Sequence, residues 1–226
     1  MALAQAALLE PDSLRDIIGE GVRWTVQADR DTLGTGIDRF DRALEGGLST
    51  GLLCEFVVPT PSSGGQTALL HLLEAARRER RFAALVDGTN AFDPQTAPPA
   101  LLEHLLWIRC QSAEQALRVT DVLLRDENLG MVLVDLRGCD RWALKRTRST
   151  IWYRLQRLAG KWAGVLAVFT PQPIIPSAQI RASLKGRIGV SVGDAALSEV
   201  AKGIGIRVSR LRTQGRGDFP QLVDVG

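Results

Sequence analysis

Histidine, tyrosine and cysteine are scarce in this 226-residue chain, with two, one and three residues respectively. Cys54, Cys110 and Cys139 are odd in number, widely spaced and without a Cys-x-x-Cys pair, which argues against a disulfide framework and a cysteine zinc site. His71 and His104 stand alone, so no metal site is expected. No apolar run reaches the ~18 residues of a membrane span. The N-terminus lacks the basic start of a secretory signal. A reduced cytoplasmic protein with buried thiols and no membrane partner is therefore expected. Repeats and low-complexity stretches are also missing.

Acid is short in the second part of the chain. Residues 1–136 carry 12 basic and 20 acidic side chains, and residues 137–226 carry 16 and 5, although the net charge is only +3. Such asymmetry suits an anionic partner on one side of the molecule, either nucleic acid or an acidic protein surface.

What is present suits one α/β domain with a full core: 45% of residues are hydrophobic and 23% charged. Unbroken apolar strands are expected at 52–58, 82–87, 105–110, 131–135 and 164–170. Helices are expected at 67–78, 112–124 and 142–159, with short helical pieces near 37–44 and 100–104. Strands of this kind alternating with helices imply a mainly parallel sheet covered on both faces. Two further strands, near Gly186–Val192 and Ile204–Leu211, are expected to form an antiparallel C-terminal edge. Residues 1–30 read as an N-terminal helical arm, with Ile17 and Ile18 at helical spacing and Trp24 beyond. The arm either docks on its own domain or packs on another protomer or a partner. Residues 31–226 form the core.

Leu53 to Gln66, followed by Thr67, reads as strand, small-residue turn and helix, the frame of a phosphate-binding P-loop. Gly65 and Thr67 fit that frame, and Gly64 with Gly65 opens the backbone toward an anion. Thr60 stands where its first Gly would be, and Gln66 stands where its Lys would be. Asp135 ends an apolar strand, as a magnesium-holding acid would. Thr60, Ser63, Gly64, Gly65, Gln66, Thr67 and Asp135 are thus expected to be a vestigial nucleotide site. Binding of ATP and magnesium is disfavoured, and no catalytic residue or cofactor is expected.

Arg137, Arg141, Lys145, Arg146, Arg148, Arg154, Arg157 and Lys161 crowd 25 positions opposed only by Asp140. Trp142, Trp152 and Tyr153 are interleaved. Helical spacing puts Lys145, Arg148 and Trp152 on one face. Arg207, Arg210 and Arg212 extend the basic group. It suits a nucleic-acid phosphate track, an acidic protein partner or simply solvent.

Several short stretches in order resemble the RecA-like recombinase family. They are Thr35-Gly36, Asp41 to Leu44, Gly46-Gly47-Leu48 and Gly51, then Pro61, Ser63, Gly65 and Thr67. Asp87 with Ala91, Asp93 and Pro94 follows, then Glu114 to Leu117, Val132 to Asp135, Arg157 to Gly160, and Gln172. The resemblance implies a RecA-like P-loop core without the RecA C-terminal domain. Thr89 stands where the family has its water-activating Glu, and the family's DNA-binding loops look shortened after Asp135 and after Gln172. These departures resemble the ImuA family, the degenerate RecA-like members of bacterial mutagenesis cassettes. That resemblance implies a non-catalytic accessory role in SOS-induced translesion mutagenesis. The implied partners are RecA, the polymerase-like ImuB and an error-prone replicative-type DNA polymerase. Single-stranded DNA and a second copy of the chain remain further partners to weigh. The alternatives are a DNA-stimulated ATPase or DNA-binding recombinase paralogue, and a division inhibitor of the SulA kind.

Overall fold

The computed structural model describes residues 32–44, 46–126, 128–186, 203–211 and 223–225, with backbone alone at 210, 211 and 223–225. The N-terminal arm with Ile17, Ile18 and Trp24 lies outside these residues. A two-stranded ribbon, β1 (Thr32–Leu33) and β2 (Leu48–Ser49), brackets helix α1 (Asp38–Ala43). Asp41 staples this entry segment by accepting from the N–H groups of Thr35 and Gly36 and from the Thr35 hydroxyl.

Among the described residues the main sheet has eight strands. In chain order these are β3 (Leu53–Val57), β4 (Phe82–Asp87), β5 (Leu105–Arg109), β6 (Leu129–Asp135), β7 (Val165–Thr170), β8 (Ile180–Lys185), β9 (Gly205–Leu211) and β10 (Val223–Val225). They lie side by side in the order β10-β9-β8-β3-β7-β6-β4-β5. The six from β8 to β5 run parallel, and β9 and β10 are added antiparallel. Helix α2 (Gly65–Arg78) follows β3, and the short α3 (Pro99–Leu102) precedes β5. Helix α4 (Ala113–Leu123) precedes β6, and α5 (Arg141–Arg146) and α6 (Ser149–Ala159) join β6 to β7.

The strands are apolar on both faces because each face is covered. Cys54, Phe56, Met131, Leu133, Ala167 and Phe169 pack with α1 and α2. Leu53, Val132, Val134, Leu166 and Val168 pack with α4, α5 and α6. This two-sided burial is the physical requirement of a parallel sheet.

The strand that pairs with β3 on this side of the sheet is Ile180–Lys185, buried at every second position. The edge strand expected near Gly186–Val192 falls on residues 187–192, which lie outside the described residues. One expectation is corrected. The continuous helix expected over 142–159 is broken in two. Thr147 and Arg148 are extended, with ψ of 123° and 133°. The hydroxyl of Thr147 bonds back to the Ala143 carbonyl. A β-branched residue with a competing hydroxyl, followed by Ser149 and Thr150, favours stopping and restarting a helix over continuing it.

Candidate functional site

The carboxyl ends of β3, β6, β4 and β7 meet where the chain leaves β3 and reaches β4 only by crossing β7 and β6. In open α/β sheets this change of direction makes the crevice used for ligands. The turn after β3 lies there. Thr60 is extended, Pro61–Ser63 form one 3-10 turn, Gly64 takes φ of 87° and α2 begins at Gly65. The Gly64 conformation is left-handed, which glycine adopts without steric cost. The hydroxyls of Thr60 and Ser63 share a hydrogen bond of 2.7 Å, so they satisfy each other.

Arg137 determines the chemistry of this crevice. It stands two residues beyond Asp135, and its side chain folds back. Arg137 Nε donates to Asp135 Oδ1 at 2.8 Å, and Nη2 donates to Oδ2 at 2.6 Å. Nη2 also donates to Gln66 Oε1 at 3.0 Å, and the Arg137 N–H adds a bond of 3.0 Å to Asp135 Oδ1. The guanidinium lies 5.7 Å from the centre of the Phe169 ring. Asp135 and Arg137 are 5% and 21% exposed, so the pair is largely shielded. A methyl group on Gly65 would fall 2.6 Å from Arg137 Nη1, and one on Gly64 would fall 2.6 Å from Ile204. An arginine and an isoleucine therefore press on the two glycines of the loop.

The arrangement does not fit a magnesium–nucleotide. A metal ion would have to take Asp135 from a two-pronged pair with Arg137, the strongest kind of carboxylate contact. Gln66 is already engaged by the same guanidinium. Thr67 is buried in the first turn of α2. Thr89 offers only a hydroxyl, which lies 2.7 Å from where a Gly138 methyl would be.

The neighbouring acids are engaged as well. Asp87 accepts from the N–H groups of Thr89, Ala91 and Phe92 and from the Trp107 indole, which folds the loop after β4. Glu55, fully buried, accepts from the Thr170 hydroxyl and the N–H groups of Ile174 and Ile175 and pairs with Arg181. Among the described residues there is no cluster of side chains suited to a metal ion. No helix among them is long and apolar enough to cross a membrane.

The basic group is redistributed. Arg137 belongs to the crevice. Trp152, expected to share a face with Lys145 and Arg148, is 1% exposed and packs in the core, because the break at Thr147 interrupts the helical register. Arg154 pairs with Asp121 on α4, at 2.6 Å. Arg141, Lys145, Arg146 and Arg148 are exposed. Arg141 also reaches the Pro59 carbonyl at 3.4 Å, on the rim of the crevice, and Gln172 donates to the Arg141 carbonyl. Arg207 sits on β9, which β8 and β3 separate from β7. The side chain of Arg210, and Arg212, lie outside the described residues. Sequence reasoning missed the pairing role of Arg137. The available signal was a cation two residues after a strand-ending Asp, in a chain that lacks the cation at position 66.

The model of the RecA N-terminal domain matches residues 17–139. Protein RecA of Nostoc sp. (strain PCC 7120) is 35% identical over 121 residues, covering 52% of this chain and 32% of that protein. Protein RecA of Synechococcus elongatus is 32% identical over 120 residues, with the same coverage. Protein RecA of Chlorobium limicola is 37% identical over 107 residues, covering 46% and 30%. The match spans about a third of the length of these relatives. The family-model match over residues 17–139 includes the entry segment, the crevice loop, Asp135 and Arg137, more than half of the chain, and the chain belongs to the RecA N-terminal domain family.

Proposed function

We propose that this chain is a non-catalytic RecA-like accessory protein of DNA-damage-induced translesion mutagenesis. It binds RecA and error-prone polymerase components of the ImuB type, and it works through protein contacts rather than through ATP turnover. The observation that carries this reading is the Arg137 guanidinium on both oxygens of Asp135 and on Gln66. Phosphoryl transfer needs a cation on the terminal phosphates, a metal on the acid and a group orienting water. Here the cation is turned onto the acid, and Thr89 replaces the orienting carboxylate. Loss of a general base alone typically removes ~10² to 10⁴-fold in rate.

The test is capture of RecA and of an ImuB-type protein by the purified chain across a salt series, with single-stranded DNA in parallel. Capture of either protein is expected. Failure to capture both would overturn the reading. Membership of the RecA family favours one rival, a DNA-stimulated ATPase. Phosphate release with and without single-stranded DNA separates the two, with Asp135→Ala as control. No turnover above that control is expected, and DNA-stimulated turnover lost in Asp135→Ala would establish the rival.

A further inference from the structure

The surface of α5 and the start of α6 joins one exposed indole to charge of a single sign. Trp142 is 70% exposed, the largest apolar side chain so placed among the described residues, and Tyr153 is 51% exposed. Lys145 Nζ lies 5.3 Å from the Trp142 ring centre. Arg141, Lys145, Arg146 and Arg148 form no ion pair among the described residues. The one acid in the stretch, Asp140, turns its carboxylate to the Ala143 N–H at 2.7 Å, capping α5. Four exposed cations thus share this stretch with the exposed indole, against the single carboxylate of Asp140.

This surface suits a polypeptide better than a nucleic-acid strand. A single-stranded nucleic acid needs successive aromatic platforms along a basic groove. Trp152, the middle aromatic of the three, is buried, and Arg154 is held by Asp121. One side of the Trp142 ring is already covered by Lys145. Two aromatics remain exposed, and of these Trp142 is the more exposed and the one with a cation over its ring. Protein interfaces use this pattern: Trp and Arg dominate binding energy, and complementary charge steers the partner.

We propose that the α5–α6 surface centred on Trp142 docks an acidic polypeptide segment. Trp142 is the anchor, and Arg141, Lys145, Arg146 and Arg148 supply the charge complement. This rests on the reading of the chain as a protein-binding accessory and gives its partner a chemistry.

The test uses the full chain and fluorescence anisotropy. The probes are a labelled peptide of Asp, Glu and Leu, the matched peptide of Asn, Gln and Leu, and a labelled oligothymidine. The acidic peptide is expected to bind and the neutral one not to. Trp142→Ala is expected to weaken acidic-peptide binding at least ~5-fold, and Arg146→Glu with Arg148→Glu at least ~10-fold, as for anchor and charge-pair losses. Arg77→Glu, half the charge change of that double variant and placed in the last turn of α2, should stay within ~2-fold. All these side chains are exposed, so thermal unfolding should be unchanged. An equal loss in Arg77→Glu, no loss in Trp142→Ala, or tighter binding of oligothymidine than of the acidic peptide would overturn the proposal. Its failure is distinct from failure of the accessory reading, because capture of RecA or an ImuB-type protein through another surface would survive the loss of peptide binding.

Discussion

Arg137 carries the positive charge that a P-loop ordinarily draws from the residue at position 66. Its guanidinium stays in the crevice because Asp135 offers two oxygens at bonding distance and Phe169 lies beneath it. The contacts predict a hierarchy of variants. Gln66→Lys alone should not create a nucleotide site, since the new ammonium would face Arg137 and find Asp135 already paired. Gln66→Lys with Arg137→Ala frees the carboxylate and restores the loop cation. That double variant should bind a fluorescent ATP analogue in a magnesium-dependent way, at least ~10-fold more tightly than the unmodified chain, because charge-assisted contacts to phosphate return. Titration with and without magnesium measures this. Equal binding by all three proteins would show that Arg137 does not block the site. Arg137→Ala alone should cost ~1.5–3 kcal/mol in urea unfolding, through the lost bonds to a charged acceptor.

Glu55 acts on the scale of an element. It lies inside β3, between β7 and β8, and holds the 171–179 loop that links those two strands. It accepts from the N–H groups of Ile174 and Ile175, while Arg181 reaches both Glu55 and the Ile175 carbonyl. Glu55→Gln keeps the shape but removes the charge, leaving Arg181 largely buried without its counter-charge. A cost of ~3–5 kcal/mol is expected, because breaking one side of a buried pair strands the other charge. A lower urea midpoint with an unchanged slope would report it, and an unchanged midpoint would refute the clamp. At this scale much was legible in sequence. The strand Phe82–Asp87 and the Ser112-capped α4 follow from apolar runs and a capping residue, and both occur as expected. The strand Ile180–Lys185 was not legible as such. Its three buried positions alternate with Arg181, Ser183 and Lys185, and it depends on β3 and β9 for its pairing. The break at Thr147 was also missed, because cations and aromatics on both sides keep a helical spacing that the backbone does not follow.

Across the whole molecule, the three thiols give a pH dependence. Burial pushes Cys54 up to about 12 from the ordinary value of 9.0. Burial, then the nearby Asp87, raises Cys110 to about 11. Burial, then Asp135, Asp87 and Cys110, raises Cys139 to about 11. Above pH 9 the unfolded chain releases thiol protons that the folded chain keeps. The unfolded state then binds fewer protons, so stability falls as pH rises from about 9 to about 11. Each thiol contributes up to about 1.4 kcal/mol per pH unit in that window. Urea unfolding at pH 8 and pH 10.5 should show the loss, and a triple Cys→Ala variant should show less of it. An equal alkaline loss in that variant would exclude the thiols as its source.

The amino-acid sequence by itself determined the α/β class, the strand–turn–helix corner at Leu53 to Thr67 and the uncharged side chain at position 66. These are local properties: apolar runs, small residues in a turn and the identity of one side chain. Only the tertiary structure decided what became of the crevice. Asp135, Arg137 and Gln66 come together because β3 and β6, with β7 between them, end at the same side of the sheet. The same packing buried Trp152, engaged Arg154 with Asp121 and left Trp142 exposed among cations. Charge and spacing along a chain cannot show which arginine will meet a carboxylate from another element. That depends on which elements the sheet brings side by side.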